Sequence, residues 1–587
     1  MLWKLTRESL TPYKWQFFLA IGLQLIQVLA ALYLPTLNAD IIDNGVTKGD
    51  TAYIWRIGAF MLAFSLVQLS ATIAALFFSA KISMSAGRDL RRRVFRHIHT
   101  LSTKEVGTFG ASSLITRSTN DVPQIQMLIL MTMQFMISSP LMMLGGVIIA
   151  IQKDLVLSGL LLVIVPIMGI SAGLIISKAT PGFRRMQKQI DRVTKVMREQ
   201  IIGVRVIRAF VKDDLQQSKF NEANRDLFET SLFVNKLMAL LFPLVGLVMN
   251  LSSVAVIWFG AMRINAGQMQ IGSLTAFISY LMIILISVMT STMMFVMIPR
   301  AQVSAERIKE LLNTETSVIP GQLAASADNI EATQPGDRCG GVVFEGVSFH
   351  YPGAQKPVLQ GLSFTAKPGA TTAIIGSTGS GKTTVMRLIP RLYDPSSGSI
   401  RLGGQDLRSL SEAEISRRVG YIPQKAFLFS GTIRSNLQYG LPDATDAQIW
   451  QALEMAQAAD FVRNLAAGLE AKVEQGGSNF SGGQRQRLAI ARALIGQRSV
   501  YLFDDSFSAL DYATDAALRQ AIIPLQEHAV VLIVAQRVST IQHAEHIVVL
   551  DEGRIVGQGT HEQLLAGCKT YQEIVASQLS SQESREA

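Results

Sequence analysis

The stretch TTAIIGSTGSGKTTVMRLIP, residues 371–390, joins a short β-rich run to the start of a helix through a glycine-rich loop. The loop fits the pattern G-x-x-x-x-G-K-[ST], in which glycines let backbone N–H groups curl around phosphate oxygens. The helix start adds a dipole that favours an anion. Lys382 can reach the β- and γ-phosphates of a nucleotide, and the Thr383 hydroxyl can ligate Mg²⁺. The predicted phosphate-binding residues are Gly376, Ser377, Thr378, Gly379, Ser380, Gly381, Lys382, Thr383 and Thr384.

A second motif ends another apolar run. SVYLFDDS, residues 499–506, contains two adjacent carboxylates, Asp504 and Asp505. An acid in this place usually caps a strand, but a phosphate loop in the same chain favours a metal role, so Asp504 is predicted to hold Mg²⁺ through water. From Val342 onward, short β-branched runs alternate with helical stretches. This alternation predicts an α/β nucleotide-binding domain with a largely parallel sheet over residues 342–587.

The first half of the chain has a different composition. Over the 587 residues the hydrophobic fraction is 49% and the charged fraction is 17%, whereas soluble proteins carry about 25% charged residues. Six apolar segments reach the roughly 20 residues that cross a hydrocarbon core as a helix, so residues 1–312 are predicted to form a membrane domain. The six segments are Trp15–Leu37, Ile57–Phe78, Met127–Ile151, Val156–Ser177, Leu237–Met262 and Leu274–Ile298. Residues 313–341 are polar and are predicted to be a linker.

Basic residues predict the orientation of these helices. The net charge is +10, and the connections after the second and fourth segments are strongly basic, whereas the other connections hold few cations, Lys48, Lys153 and Arg263. Because positive charge stays in the cytoplasm, both termini are predicted to be cytoplasmic, in a multi-pass protein of the cell membrane. The basic residues then face lipid headgroups and solvent, and nucleic acid is not an expected partner. The two cysteines, Cys339 and Cys568, are too few for a disulfide scaffold.

Apolar residues continue at helical spacing into the two basic connections, over Ser83–Leu101 and Gln187–Phe210. About 20 extra residues lengthen a helix by roughly 30 Å. We therefore predict helices that continue past the membrane into the cytoplasm. They are expected to turn back near Gly107–Asp121 and near Gly203–Asp214, which makes these turns the natural contact points for a cytoplasmic domain.

The stretch NFSGGQRQRLAIARAL, residues 479–494, lies between the two phosphate-site motifs. Its SGGQ resembles the signature of ABC transporters. With six spans ahead of one nucleotide-binding domain, the whole chain resembles a multidrug-type ABC exporter half-transporter. The resemblance implies that SGGQ closes over ATP held by a second domain, so that two half-transporters sandwich two ATP molecules with their Mg²⁺. The residues implied in this role are Ser481, Gly482, Gly483 and Gln484.

Three further positions match elements of that family. Tyr351, in VSFHYPG, falls where the family has an aromatic ring that stacks on adenine. Gln424, in YIPQKAFLFSGTIRSNL, falls in the loop that senses the γ-phosphate and adjoins the Mg²⁺. Asp511, in SALD, falls in the loop that crosses to the opposite subunit. These roles are implied by the resemblance alone.

Two positions depart from the family pattern. The acid that polarises the attacking water is typically Glu, and here it is Asp505, whose carboxylate is withdrawn by roughly 1–1.5 Å, a displacement that can cost about 100-fold in rate. The switch histidine is replaced by Gln536, in IVAQR, which can donate a hydrogen bond to the γ-phosphate but cannot carry a proton.

Together, Asp505 and Gln536 predict a site that binds ATP well and hydrolyses it poorly. With SGGQ intact, this favours a heterodimer with a different half-transporter that carries Glu and His there. A homodimer with two slow sites is the alternative.

The spans indicate the class of substrate. They hold few ionisable residues, which argues against a proton relay or an ion pathway. They are rich in methionine, which either fills helix interfaces and faces lipid or lines an adaptable apolar cavity. The methionines concerned are Met131, Met133, Met136, Met142, Met143, Met289, Met293, Met294 and Met297. We expect export of hydrophobic or amphipathic small molecules from the cytoplasm or inner leaflet. A lipid flippase, an importer on the exporter fold (for a siderophore, for example), and a nucleotide-gated channel or regulatory subunit are the alternatives.

Overall fold

The protein is described by a computed structural model over residues 2–294, 297–319, 321 and 341–586. Most of the predicted linker, including Cys339, lies outside these residues. The described chain forms two compact units. One comprises Met1–Ile98 and Ala111–Thr314, and the other comprises His99–Gly110 and Glu315–Ala587. Part of the first predicted turn, near Gly107, therefore belongs to the second unit.

The first unit is helical, and α4 of the second unit is inserted in its sequence. The α-helices in this part of the chain are α1 Leu2–Leu10, α2 Lys14–Asp40, α3 Thr51–Ile98, α4 Thr103–Phe109, α5 Ala111–Thr116, α6 Val122–Met131, α7 Ser138–Lys153, α8 Leu155–Ser158, α9 Leu161–Ile202, α10 Val204–Ala209, α11 Asp213–Asn265, α12 Ile271–Met294 and α13 Ile298–Asn313. π-Helical segments continue the chain between some of them, at Ile41–Val46, Arg117–Asp121 and Thr132–Met136.

Six helical stretches of this unit are long and apolar enough to cross a membrane, as the sequence predicts. They are Leu2–Val46, Thr51–Ile98, Ala111–Lys153, Leu155–Ile202, Asp213–Asn265 and Ile271–Thr292. The 48 residues of α3 extend about 72 Å at 1.5 Å per residue, against roughly 30 Å for a hydrocarbon core. Helix α3 therefore continues well beyond a membrane. The last predicted segment includes residues 295 and 296, which lie outside the described residues.

The buried centre of the helical unit is apolar. Tyr280 on α12 is fully buried, and its hydroxyl donates a hydrogen bond to the Leu32 carbonyl of α2 at 2.8 Å. Met133 is also buried, and Met142, Met143 and Met289 pack against the cluster that contains Tyr280. Because Met142, Met143 and Met289 pack against this interhelical cluster, the structure favours the interface-filling role for these three. The side chains of Met293 and Met294 lie outside the described part of the chain.

A buried ion pair ties the connection between α7 and α8 to the long helix α11. Asp154, between α7 and α8, accepts from the Leu157 N–H and from Arg263 Nε near the end of α11, both at 2.8 Å. The Asp154 side chain is 4% exposed and that of Arg263 is 24% exposed. The carboxylate is thus satisfied twice in a place where water is largely excluded, so removal of the cation leaves a buried charge without a partner.

The second unit continues with an α/β domain. Its strands are β1 Val342–Phe349, β2 Leu359–Ala366, β3 Thr371–Gly376, β4 Ser397–Leu402, β5 Gln405–Asp406, β6 Val419–Ile422, β7 Gly431–Thr432, β8 Lys472–Val473, β9 Val500–Asp504, β10 Val530–Val534, β11 His546–Asp551 and β12 Arg554–Gly559. Its helices are α14 Lys382–Leu388, α15 Glu412–Arg418, α16 Ile433–Gln438, α17 Asp446–Met455, α18 Ala459–Arg463, α19 Gly482–Leu494, α20 Tyr512–Gln526, α21 Val538–Ile541, α22 His561–Gly567 and α23 Lys569–Glu586.

The main sheet has six strands in the order β12-β11-β3-β10-β9-β6. All neighbours from β11 to β6 are parallel, and β12 alone is antiparallel. The buried strands β9 and β10 are continuously apolar up to Asp504, as expected for parallel strands covered on both faces. A separate antiparallel sheet has the order β2-β1-β4-β5, and β7 and β8 form a two-stranded antiparallel sheet. The parallel sheet confirms the α/β prediction, whereas the second sheet was not predicted.

The ion pair between Asp154 and Arg263 can be tested by mutation. The variant R263A is expected to lower the free energy of unfolding by about 2–3 kcal/mol, because Asp154 stays buried without its cation while Arg263 itself is partly exposed. The measurement is the thermal unfolding of the full chain in detergent. The matched control is R225A, whose pair with Glu229 is exposed on both sides and is worth no more than about 0.5 kcal/mol. Equal unfolding midpoints for the two variants would contradict the expectation.

Candidate nucleotide site

The residues predicted to carry chemistry meet at one edge of the parallel sheet. The phosphate loop follows β3, the two acids close β9, Gln424 follows β6 and Gln536 follows β10. The register aligns Ile374, Val534 and Asp504 on adjacent strands. Because the carboxyl ends of parallel strands lie along the same edge, four stretches that are distant in sequence form one crevice there.

The phosphate loop has the geometry that an anion requires. Gly379 and Gly381 adopt φ values of +87° and +102°, in a region that side-chain-bearing residues rarely adopt, and α14 begins directly after them. Lys382 Nζ donates to the carbonyls of Gly376 at 2.8 Å and of Ser377 at 2.7 Å. Burial lowers the pKa of this amine, while Asp505 and Asp504 act to raise it. The ammonium is thus held inside the loop, where phosphate oxygens can replace the two carbonyls.

A hydroxyl and a buried carboxylate lie side by side next to this loop. Thr383 Oγ1 donates to Asp504 Oδ1 at 2.9 Å, and the Asp504 side chain is almost completely buried. Burial raises the pKa of Asp504, although the hydrogen bonds from Thr383 and Tyr421 lower it. Hydroxyl and carboxylate oxygens are ligands that Mg²⁺ prefers, with nucleotide phosphates and water completing its octahedron. The two side chains therefore fit the metal that the sequence predicts.

Sequence reasoning missed Tyr421 on β6. Its hydroxyl donates to Asp504 Oδ2 at 3.2 Å, so both oxygens of that carboxylate are hydrogen-bonded. Burial, followed by the neighbouring Asp504 charge, raises the pKa of Tyr421 to about 12. The phenol therefore remains a donor at neutral pH and orients the carboxylate. No local pattern in the sequence predicts this contact. It depends on the pairing of β6 with β9, in which Tyr421 lies opposite Leu502.

Asp505 is held by two amides. Its Oδ2 accepts from Gln424 Nε2 at 3.0 Å and from Gln536 Nε2 at 2.7 Å. The residue is buried and has a φ of +49°, an uncommon conformation that Asp tolerates better than most residues. The structure thus brings together the three residues predicted to act at the γ-phosphate. All three line a cavity of about 310 Å³ that is also lined by Gly379, Lys382, Thr383 and other residues of the phosphate loop.

Tyr351 is next to the phosphate loop. Its ring packs edge-to-face on Phe349 and Tyr393 with centroids 4.8 Å and 5.4 Å away. Its hydroxyl is 3.2 Å from Thr384 Oγ1 on α14. The structure therefore brings Tyr351 to the helix that follows the loop, and the stacking of its ring on adenine stays a prediction.

The signature residues do not line the cavity at the phosphate loop. Ser481 is the N-cap of α19: its hydroxyl accepts from the Gln484 N–H at 3.2 Å, and the Gln484 side-chain oxygen accepts from the Ser481 N–H at 3.0 Å. Ser481 and Gly482 are exposed. The exposed residues at the start of this helix can be reached by an anion from another molecule.

Asp511 is likewise a helix cap. Its carboxylate accepts from the N–H of Thr514 at 2.9 Å and from the Thr514 hydroxyl at 2.8 Å, which starts α20. The two bonds lower the pKa of this exposed acid. This cap fixes the loop that begins at Asp505, and the predicted crossing to another subunit remains a prediction.

Comparison with known proteins identifies the two parts of the chain. The ABC transporter transmembrane region family matches residues 17–289, and the ABC transporter family matches residues 359–508. An uncharacterized ABC transporter ATP-binding protein of Mycobacterium tuberculosis is 47% identical over 582 residues, 98% of this chain and 98% of that protein. A multidrug efflux ATP-binding/permease protein of Mycobacterium bovis is 30% identical over 576 residues, 97% of this chain and 47% of that protein.

A solved structure has the same fold. A bacterial Atm1-family ABC exporter with ATP bound is similar with a TM-score of 0.78 over 97% of this chain and 99% of that chain, at 24% identity. At this identity the likeness concerns the fold. The two family matches and the 47% identical relative show that the chain belongs to the ABC transporters. It is an exporter half-transporter, a multi-pass membrane protein that binds and hydrolyses ATP and works as a dimer.

Proposed function

We propose that this protein is one subunit of a heterodimeric exporter of hydrophobic or amphipathic compounds, and that its own ATP site binds the nucleotide but hydrolyses it slowly. In this proposal Tyr351 stacks on adenine, the phosphate loop holds the phosphates, and Thr383, Asp504 and Gln424 adjoin Mg²⁺. The complex lies in the cell membrane with both termini in the cytoplasm.

The observation that carries this proposal is the pair of amides on Asp505. Water attack on the γ-phosphate needs a carboxylate that reaches the water and a partner that can carry positive charge or a proton. Asp505 is one methylene shorter than Glu, and one of its oxygens already accepts from Gln424 and Gln536. An amide donates hydrogen bonds but does not titrate. The arrangement therefore favours holding the γ-phosphate over cleaving it.

The SGGQ signature of this chain, in contrast, is intact. Ser481 and Gln484 form a complete capping box at the exposed start of α19. Such a helix terminus suits the γ-phosphate of a nucleotide held by another domain. Each chain then contributes to two sites: it supplies the phosphate loop of its own slow site and the signature of its partner's competent site. The M. bovis relative, which is about twice as long as this chain, accords with a working unit of two halves.

The transport cycle follows from these roles. Binding of ATP and Mg²⁺ at both sites draws the two nucleotide domains together and moves the spans outward. Hydrolysis at the partner's site resets them, while ATP at this chain's site is retained for longer. The substrate class rests on the apolar spans, which hold few ionisable residues, and on the multidrug efflux activity named for the relative.

The asymmetry predicts unequal effects of two substitutions in the complex purified from its host membranes. Ser481→Arg in this chain blocks the signature that serves the partner's ATP, and it is expected to lower ATP turnover by at least about tenfold. Asp505→Asn removes the acid of this chain's own slow site but leaves its phosphate loop intact, so both sites still bind ATP and turnover is expected to fall by less than about threefold. A homodimer would lose turnover equally with both, and equal losses would contradict the heterodimer.

The slow site itself can be tested in the Ser481→Arg background, where the remaining turnover belongs to this chain's own site. Adding Asp505→Glu and Gln536→His restores a carboxylate of full reach and a titratable partner, so turnover is expected to rise by about 10- to 100-fold. The matched control is Gln542→His, which adds an imidazole at an exposed position of the same region. Unchanged turnover in the restored variant, or rapid turnover before restoration, would overturn the slow-site proposal.

A further inference from the structure

The C-terminal helix α23 packs against the α/β domain through one stripe of side chains. Tyr571 is completely buried in the main cluster of the domain, and Ile574 and Val575 pack against the same cluster. The next position of this stripe is Gln578, since residues at i, i+3, i+4 and i+7 share a helix face. A polar amide thus follows three apolar anchors on the same face of the helix, at a position that is partly buried.

Gln578 finds these partners in the backbone that carries Gln536. Its Nε2 donates to the Gln536 carbonyl, and its Oε1 accepts from the Val538 N–H, both at 2.8 Å. One side-chain amide therefore binds a carbonyl and the N–H two residues further on. This pattern imitates the way in which a neighbouring β-strand would bind an extended segment.

The segment between Gln536 and Val538 needs this support. The Ala535 N–H makes the last contact with β3, to the Ile374 carbonyl at 3.3 Å. Val538 begins α21, whose N-cap Arg537 contributes no side-chain hydrogen bond. The first N–H of a helix has no partner within the helix, and Gln578 supplies one from another element.

The segment borders an open cavity. It lines a cavity of about 660 Å³, which Asp505, Asp515 and Gln578 line as well. At one end of the segment, Gln536 Nε2 reaches Asp505 Oδ2 at 2.7 Å. At the other end, the Arg537 guanidinium lies 5.3 Å from the Tyr512 ring centroid. The Gln536 carbonyl and the Val538 N–H form the two bonds with Gln578.

We propose that Gln578 is a positioning residue of the nucleotide site: it fixes the backbone at Gln536 and Val538, and so aims the Gln536 amide at Asp505 and at the γ-phosphate. The C-terminal helix thereby becomes part of the machinery that distinguishes ATP from ADP. This inference rests on the γ-phosphate contact proposed for Gln536, and it does not depend on whether the dimer is symmetric.

The test uses the full chain in lipid nanodiscs with two readouts. In Gln578→Leu, the amide hydrogen exchange of residues 535–541 is expected to accelerate by roughly tenfold, because the Val538 N–H loses its acceptor. The Kd for Mg²⁺-ATP is expected to rise by about five- to tenfold, since the Gln536 contact with a charged phosphate is loosened. The Kd for Mg²⁺-ADP, which lacks the γ-phosphate, is expected to stay within about twofold.

The matched control is Gln572→Leu on the same helix. Gln572 also donates to a backbone carbonyl, but to that of Leu565 on α22, at 2.6 Å. This control is expected to leave both the exchange and the ratio of ATP to ADP affinity unchanged. An equal effect of the two variants would reduce Gln578 to a structural residue of α23 and overturn the proposal.

The remaining outcomes separate this inference from the function proposed for Gln536. If Gln536→Ala lowers ATP selectivity while Gln578→Leu does not, the γ-phosphate contact stands and the positioning role is wrong. If amide hydrogen exchange accelerates in Gln578→Leu without a change in the preference for ATP over ADP, Gln578 supports the backbone only and the proposal is again wrong. If Gln536→Ala leaves selectivity unchanged, the γ-phosphate contact fails, and the positioning role fails with it.

Discussion

The parallel order of β3, β10, β9 and β6 is the constraint on which the nucleotide site depends. Each strand delivers one functional stretch at its carboxyl end, and the register brings those ends to the same edge. No single stretch could do this chemistry, because a phosphate cradle, a metal carboxylate and a γ-phosphate sensor must lie within a few ångströms of one another. The continuous apolar sequence of the strands keeps the sheet buried on both faces and so keeps this edge rigid.

Within that frame, the two unusual residues form a coherent pair. A shortened acid alone would leave a gap at the γ-phosphate, and an amide in place of an imidazole alone would leave a full-length base without its partner. Here the Gln536 amide donates directly to Asp505, so each substitution satisfies the hydrogen-bonding needs of the other. The Asp505 carboxylate is buried, and a buried carboxylate is stable only when it is paired. The pairing therefore argues that the two changes work as one unit, whose effect is to hold the Asp505 carboxylate still.

The fold and much of the site could be predicted from local pattern. Long apolar segments indicate membrane helices, and the glycines before Lys382 mark the phosphate loop, because both signals lie within short windows of sequence. The contacts that pattern could not supply join distant residues. Tyr421 meets Asp504 across 83 positions, and Gln578 meets Gln536 across 42. The membership of His99–Gly110 in the second unit is likewise a tertiary property, since nothing local distinguishes α4 from the helices around it.

The position of Gln578 nevertheless has a physical logic that sequence reasoning can use. A helix that docks by a stripe of apolar residues excludes water from that stripe, and a glutamine in the stripe is destabilising unless both ends of its amide are satisfied. Side-chain partners would each bond only one end of the glutamine amide. An extended backbone offers a carbonyl and an N–H at the spacing of the two ends of one amide. A single glutamine at the end of a docked apolar stripe therefore predicts that the helix faces a backbone segment whose carbonyl and N–H can bond the amide. In this protein that edge carries Gln536, which links the last helix of the chain to the nucleotide site by way of three hydrogen bonds.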